Sequence, residues 1–314
     1  MEFSWSQVQN WTVRPTLLTV GVSFAVLAAI LWPLEKLFPA RRGQRLFRSG
    51  FAVDLMFWVF TPLVTKAITY AITMLTVAAL LPITGRSADL SATEGWGLVG
   101  RHPFWLQCLE VIILGDFIFY WTHRLFHTTR LWPAHAVHHS IEDLDWLSSA
   151  RFHPINDTLT RVCQVVPLTL LGFSPAAVIA MVPVAVLFII VNHANVGWTW
   201  GPLRYVFVSP VYHQWHHTSE DEGLNKNFAG VLVAWDWLFG TMYMPRLRRT
   251  TRFGVKGGGV PRGFFGQLAH PFFAACGVAL AGNMERSPIL RERDAASGDS
   301  QTWTSPRRAA KPPA

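Results

Sequence analysis

Residues 103–140 read PFWLQCLEVIILGDFIFYWTHRLFHTTRLWPAHAVHHS. Pro103 to Thr122 is a predominantly apolar run of about twenty residues, enough to span a hydrocarbon core as a helix. It leads straight into His123-Arg-Leu-Phe-His127. Residues four apart on a helix stand on one face, one turn apart, so these two imidazoles present together. His135-Ala-Val-His138-His139 follows, with histidines at i, i+3 and i+4. An apolar helix that delivers paired imidazoles at its end predicts an all-α membrane protein with its chemistry at one end of the bundle.

Three further apolar regions support this reading. Thr16 to Leu34 is long enough for a first span. Only Arg14 precedes it and no small-residue cleavage site follows, so a true span is expected rather than a leader. A basic loop comes next, with Lys36, Arg41, Arg42, Arg45 and Arg48. Phe51 to Pro82 would be about 48 Å long as one helix at 1.5 Å per residue. That predicts strong tilt, or one span plus an interfacial turn. The loop from Ile83 to His102 carries Arg86, Asp89, Glu94 and Arg101. Val162 to Val191 is apolar but broken at Gly172–Pro175. Histidines lie on both sides of it, and if they share one site the chain must return to the face it left. A helical hairpin is therefore expected, with glycine and proline supplying the turn.

The expected architecture is a polytopic transmembrane helical bundle of about four spans, with a cytosolic helical cap holding a histidine-rich dimetal site. The expected organisation is an N-terminal region of two spans (1–102), a catalytic region with the histidine clusters (103–245), and an interfacial segment with a basic tail (246–314). Phe264 to Leu280, interrupted by His270-Pro271, is the interfacial part. From about Glu285 the chain is polar and Pro-rich, and disorder is expected.

Composition agrees. The chain has 314 residues, 51% hydrophobic and 15% charged, whereas soluble chains carry nearer a quarter charged. Its 15 tryptophans and 22 phenylalanines also point to a bilayer. The net charge of +8 does not call for nucleic acid, because the basic residues flank apolar runs. The Lys/Arg bias places the 36–48 loop, residues 123–161 and everything after 196 on the cytoplasmic side. Cys108, Cys163 and Cys276 form no CxxC pair and no disulfide framework.

Ten of the twelve histidines fall between positions 123 and 217. The third cluster, His213-Gln-Trp-His216-His217, repeats the spacing of the second. A lone buried histidine is more often a hydrogen-bonded core residue than a ligand. Three clusters at ligand spacing reverse that weighting. Eight imidazoles exceed the coordination of one ion, so they suit two metals held between helices. Imidazole serves zinc, copper, iron and nickel alike. Structural zinc closes at four ligands and usually uses cysteine, which is missing near the clusters. A redox pair of irons that binds dioxygen fits the count better. Asp116 lies two turns before His123 on the same face, at a depth where an acid is costly. It is a candidate to accept a hydrogen bond from a ligand's second ring nitrogen; a helix–helix polar contact is the plainer alternative. His153, in Arg151-Phe-His-Pro154, reads either as a residue near the site or substrate entrance, or as helix-start packing. Asp236 and Asn227 are lesser candidates for supporting roles.

The order His-x3-His, His-x2-His-His, His-x2-His-His resembles the fatty acid hydroxylase and sterol desaturase superfamily. The resemblance covers roughly residues 105 to 245. It extends to Asp116-Phe-Ile-Phe-Tyr-Trp-Thr-His123-Arg, Asn192-His193-Ala-Asn195 and Trp235-Asp-Trp-Leu-Phe-Gly-Thr241. It implies two iron ions, with O2 as co-substrate, attacking an unactivated C–H bond of a lipid drawn from the bilayer. The matching metal positions are His123, His127, His135, His138, His139, His213, His216 and His217, with His193 as a ninth. Gly197 stands where some members have a further histidine, which leaves a coordination position for water, Asn192 or Asn195. His102 is expected on the far face. Trp121, Trp132, Trp146 and Trp215 are near enough to shape a tunnel, although an interfacial belt also accounts for them. The electrons must come from a separate donor, a ferredoxin, a cytochrome b5-like protein or a reductase. Arg246, Arg248, Arg249 and Arg252 offer a docking surface for it or, equally, positive-inside anchoring. Desaturation would use the same site. A histidine-lined metal transporter and a non-catalytic lipid-binding relative are the readings of another class. The substrate lipid is left open.

Overall fold

The structure is a computed structural model that describes residues 15–85, 94–245 and 248–276. The tail from Glu285, with Arg14, Arg86, Asp89 and Arg246, lies outside the described residues. Among the described residues there are helices and isolated bridges but no strand.

Four helices are long and apolar enough to cross a membrane: α1 (Leu17–Leu37), α2 (Phe51–Thr84), α3 (Phe104–Thr128) and α6 (Pro175–His193). Their sides carry large exposed apolar residues such as Leu18, Leu75, Leu109 and Leu187, a surface suited to hydrocarbon rather than water. α1 starts at a reciprocal cap in which Thr16 and Thr19 satisfy each other's backbone N–H groups. α2 answers the question of its length. It is continuous, but Thr61–Thr65 is a π-turn and Leu81–Thr84 a 3-10 turn. Pro62 lies inside the π-turn, where the missing N–H and the ring disturb the regular ladder. α3 runs past the expected end at Thr122, so His123 and His127 stand on the spanning helix itself.

The hairpin forms α5 (Pro154–Leu171) and α6, joined at Gly172, whose φ of 98° suits glycine. α5 begins eight residues before the apolar run does. Its first turns are polar, and they are covered: Thr69 of α2 bonds Asp157 and Thr158. That inward polarity hid the start of the helix. The two ends of the bundle are well separated. At one end the Trp96 N–H bonds the Gly172 carbonyl, and His102 pairs with Glu110. At the other end Arg41 bonds Asn195, and Arg48 forms a two-pronged pair with Asp145. α5 and α6 thus run the length of the bundle in opposite directions, as the hairpin expectation requires.

The histidine end is capped by α4 (Trp132–His139), α7 (Pro210–His216), α8 (Ala234–Leu238) and α9 (Phe264–Ala275). A buried ion network fixes the link between α4 and α5. Asp54 of α2 pairs with both Arg48 and Arg151, at 2.7 and 2.6 Å, and Glu35 of α1 accepts the N–H groups of Trp146 and Asn195.

Candidate metal centre

The nine histidines singled out by spacing and resemblance converge, and all that carry a ligand atom inward divide into two buried groups. His123, His127, His135, His139 and His216 form one; His138, His193, His213 and His217 form the other. The division follows from helix geometry. Neighbours in sequence lie about 100° apart around a helix of 3.6 residues per turn. The pairs His138/His139 and His216/His217 therefore send one ring to each group. Pairs four apart, His123/His127, His135/His139 and His213/His217, stay together. Histidines three apart divide between the groups, so the clusters face two centres rather than one. The groups are adjacent, with the His139 ring stacked on that of His217 at 4.5 Å.

The ring orientations fit a metal. The Nδ1–H of His123 donates to the Phe228 carbonyl at 2.7 Å, that of His138 to Arg151 at 3.1 Å, that of His193 to Ile189 at 2.7 Å and that of His216 to Lys226 at 2.9 Å. His135 donates to Asn156 Oδ1 at 2.8 Å. A carbonyl oxygen only accepts, so these rings carry their proton on Nδ1 and leave the Nε2 lone pair free. Those Nε2 atoms face each other. His135 Nε2 lies 3.0 Å from His123 Nε2 and 3.1 Å from His139 Nε2. In the other group His193 Nε2 lies 3.1 Å from His138 and 3.4 Å from His213. Metal–nitrogen bonds of about 2.1 Å at right angles give edges of about 3.0 Å. Converging lone pairs without protons repel unless a cation lies between them. His217 Nε2 lies 3.1 Å from His213 Nε2, and His127 Nε2 is buried without a hydrogen-bond partner.

Electrostatics point the same way. Burial first, and neighbouring imidazoles second, hold His139, His216 and His217 well below the usual histidine range. The same holds for His135, His138 and His213. They are neutral, the form that binds metal.

A short segment after α7 fixes the rings from outside. The Lys226 and Phe228 carbonyls take protons from one ring each. Asn227 holds the segment through the Tyr212 and Tyr243 carbonyls and the Tyr243 N–H. Asp236 accepts the N–H groups of Phe228 and Ala229. Asp116 accepts those of Gly230, Val231 and Leu232 at 2.7 to 3.1 Å. This corrects the expectation for Asp116: its oxygens meet backbone amides, not an imidazole. His153, read either as a residue near the site or as helix-start packing, stands at the start of α5. Its Nδ1 accepts the Ile155 N–H and caps α5, while Nε2–H donates to Leu268. With both nitrogens engaged, it is a helix-start residue. Asn195 is engaged with both Arg41 backbone groups and takes no part in the centre.

The basic docking surface is also altered. Arg248 pairs with Glu220 and Glu222, and Arg249 donates to the Gly197 carbonyl. Of the four tryptophans, Trp132 borders a cavity beside His127 and His139, while Trp146 packs against Phe24, Trp32 and Trp58. The sequence reading passed over Asn156, Arg151 and Phe152, which stacks on His138 at 4.0 Å.

The fold and this site define a multi-pass helical membrane protein with a buried, all-imidazole centre suited to metal. Residues 108–241 match the family model described as fatty acid hydroxylase. It is 36% identical over 199 residues to the ornithine lipid hydroxylase OlsE of Rhizobium tropici, across 62% of this chain and 59% of that protein. It is 36% identical over 128 residues to alkylglycerol monooxygenase of Homo sapiens, covering 40% of this chain and 28% of that one. A third relative is very-long-chain aldehyde decarbonylase GL1-11 of Oryza sativa subsp. indica, 30% identical over 146 residues, 44% of this chain and 54% of that one. The match therefore spans from about a quarter to three fifths of these relatives' lengths. No solved structure matches the chain.

Proposed function

We propose that the chain is a membrane-bound di-iron monooxygenase that hydroxylates an unactivated C–H bond of a lipid with dioxygen. The observation that carries this is the five-plus-four arrangement of buried imidazoles whose free nitrogens converge. The relatives named for lipid hydroxylation and alkylglycerol oxygenation support hydroxylation over desaturation.

His123, His127, His135, His139 and His216 would hold one ion, and His138, His193, His213 and His217 the other. Two irons bound there supply reduction of dioxygen: one oxygen atom enters the C–H bond, the other leaves as water, and an external donor provides two electrons and two protons. The rest is the work of the chain. Backbone carbonyls at Phe228, Arg151, Ile189 and Lys226 fix ring tautomer and direction, which raises ligand basicity. Asp116 and Asp236 act one step further out, by holding the backbone that carries two of those carbonyls. Apolar walls of Phe119, Phe126 and Phe152 keep water from a cavity that touches both groups. The substrate chain enters that cavity from the bilayer.

A ferredoxin, a cytochrome b5-like protein or a reductase delivers the electrons. The basic 36–48 loop shares the histidine end of the bundle, which favours a centre on the cytoplasmic side. The division into an N-terminal spanning region, a catalytic region at 103–245 and a C-terminal interfacial segment and tail follows from the same reading.

Metal analysis and oxygen uptake test this. Protein expressed with iron should hold two ions per chain and consume oxygen with a reductant and bilayer lipid extract, yielding a lipid heavier by one oxygen. One ion per chain, or uptake that persists without iron, would sink the proposal. Zinc in overexpressed material would not, because imidazole sites accept it readily.

A further inference from the structure

Two cavities reach the nine rings, and they differ in which rings they touch. The one among α3, α5 and α6 touches His123 and His135 of the five-ring group and His138, His193 and His213 of the other. None of the residues that line it is exposed. The second lies under the cap. Its volume is about 60 Å³, room for water. It touches His127, His139 and His216, all of the five-ring group, and no ring of the four-ring group borders it.

Apart from Trp132 of α4, the remaining walls of this second cavity are loop residues. Thr218, Leu224 and Asn225 follow α7, and Gly254, Val255 and Lys256 precede α9. Lys256 pairs with Asp221, whose side chain is 74% exposed. An ion pair this open sits in water and not in hydrocarbon. The pairing also offsets the lysine charge, so a cation passing that wall is repelled less.

Ligand number and access pull in opposite directions here. By ligand number, an ion held by five imidazoles leaves more slowly than one held by four. By access, the five-ring ion has an exit to water and the four-ring ion has none among the described residues.

We propose that the cavity under the cap is the metal port of the five-ring site: a divalent cation enters and leaves that site from water between the 218–225 and 254–256 loops. The five-ring ion is then the exchangeable one, although it has more ligands. This rests on the two-ion reading and adds the route by which one of the ions is loaded.

The test uses the full chain in detergent, loaded with two zinc ions and mixed with excess EDTA; zinc retained on the protein is measured against time. The expected result is that one ion leaves about tenfold or more faster than the other. His138→Ala, which strips the four-ring group, identifies it: the ion that remains should leave at the fast rate. Val255→Cys then carries a plug. Benzyl methanethiosulfonate, applied to the folded and loaded variant, should slow the fast ion about tenfold or more and leave the slow one unchanged. The same treatment of the parent chain should change neither, because Cys108, Cys163 and Cys276 do not line this cavity. A single rate for both ions, a slow rate for the ion of His138→Ala, or a fast ion indifferent to the plug overturns the proposal. So does slowing in the parent chain, which would put the exit elsewhere. The two-rate comparison needs no variant. Failure here leaves two ions per chain and iron-dependent oxygen uptake intact, whereas failure of the two-ion reading appears as one ion from the start.

Discussion

The i+4 spacing of the histidines is legible because a helix preserves it: each such pair falls in one group. The assignment of Asp116 is not legible in the same way. Its three partners lie more than 110 residues later in chain order, and no local period connects them. Substitution separates the two roles. Asp116→Asn keeps the shape but weakens the acceptor for three amides; a loss of about 1–3 kcal/mol is expected, read as a lower melting temperature in detergent, with metal affinity reduced less. Unchanged stability with lost metal would restore the ring-partner role. Asn156 is the converse case. Asn156→Leu removes the acceptor for His135 Nδ1–H. Metal affinity should fall about 10–100-fold while the melting temperature of the metal-free protein barely moves; competition with a chelator measures it. His138→Ala should cut metal content from two ions to one, because it strips the four-ring group and leaves the five-ring group whole.

Among elements, the apolar runs announced α1, α2, α3 and α6, because lipid contact demands length and hydrophobicity. α5 was only half visible. A helix covered by α2 and α3 needs no apolar exterior, so Asn156 and Asp157 can sit in its first turns and disguise where it begins. The hairpin turn was readable from Gly172 and Pro175, and its tightness can be tested. A Cβ at Gly172 would collide with the Trp96 carbonyl, and φ is positive there. Gly172→Ala should therefore cost more than the roughly 1–3 kcal/mol of backbone strain alone. Labelling introduced cysteines at Leu171, exposed beside the turn, and at Ser140 should report opposite sides of the membrane; labelling of both from one side would make the hairpin shallow.

On the scale of the whole molecule, the composition and the long apolar runs told of a membrane, whereas the convergence of the centre depends on contacts that no single stretch encodes. The Lys226–Leu232 segment, α3 and α7 must all meet before the nitrogens face one another. That concentration of neutral imidazoles has a consequence for pH. Six of them, at 135, 138, 139, 213, 216 and 217, are held well below the usual histidine value, first by burial. In the unfolded chain they titrate near 6.5. Between that value and their depressed folded values the unfolded state binds protons and the folded state does not. Stability then rises with pH, and each such proton contributes about 1.4 kcal/mol per pH unit. The stabilisation of the neutral folded form is fully present above about pH 6.5 and is lost as pH falls toward the folded values. Metal-free protein should therefore show a melting temperature that is flat from pH 8 to 7 and drops steeply toward pH 5.5. Bound metal competes with those protons, so the loaded protein should hold its melting temperature further down the scale and then release metal as it unfolds. A metal-free protein whose melting temperature is unchanged across this range would mean that the rings are protonated or solvated in the fold, and that the centre is not the closed, neutral site described above.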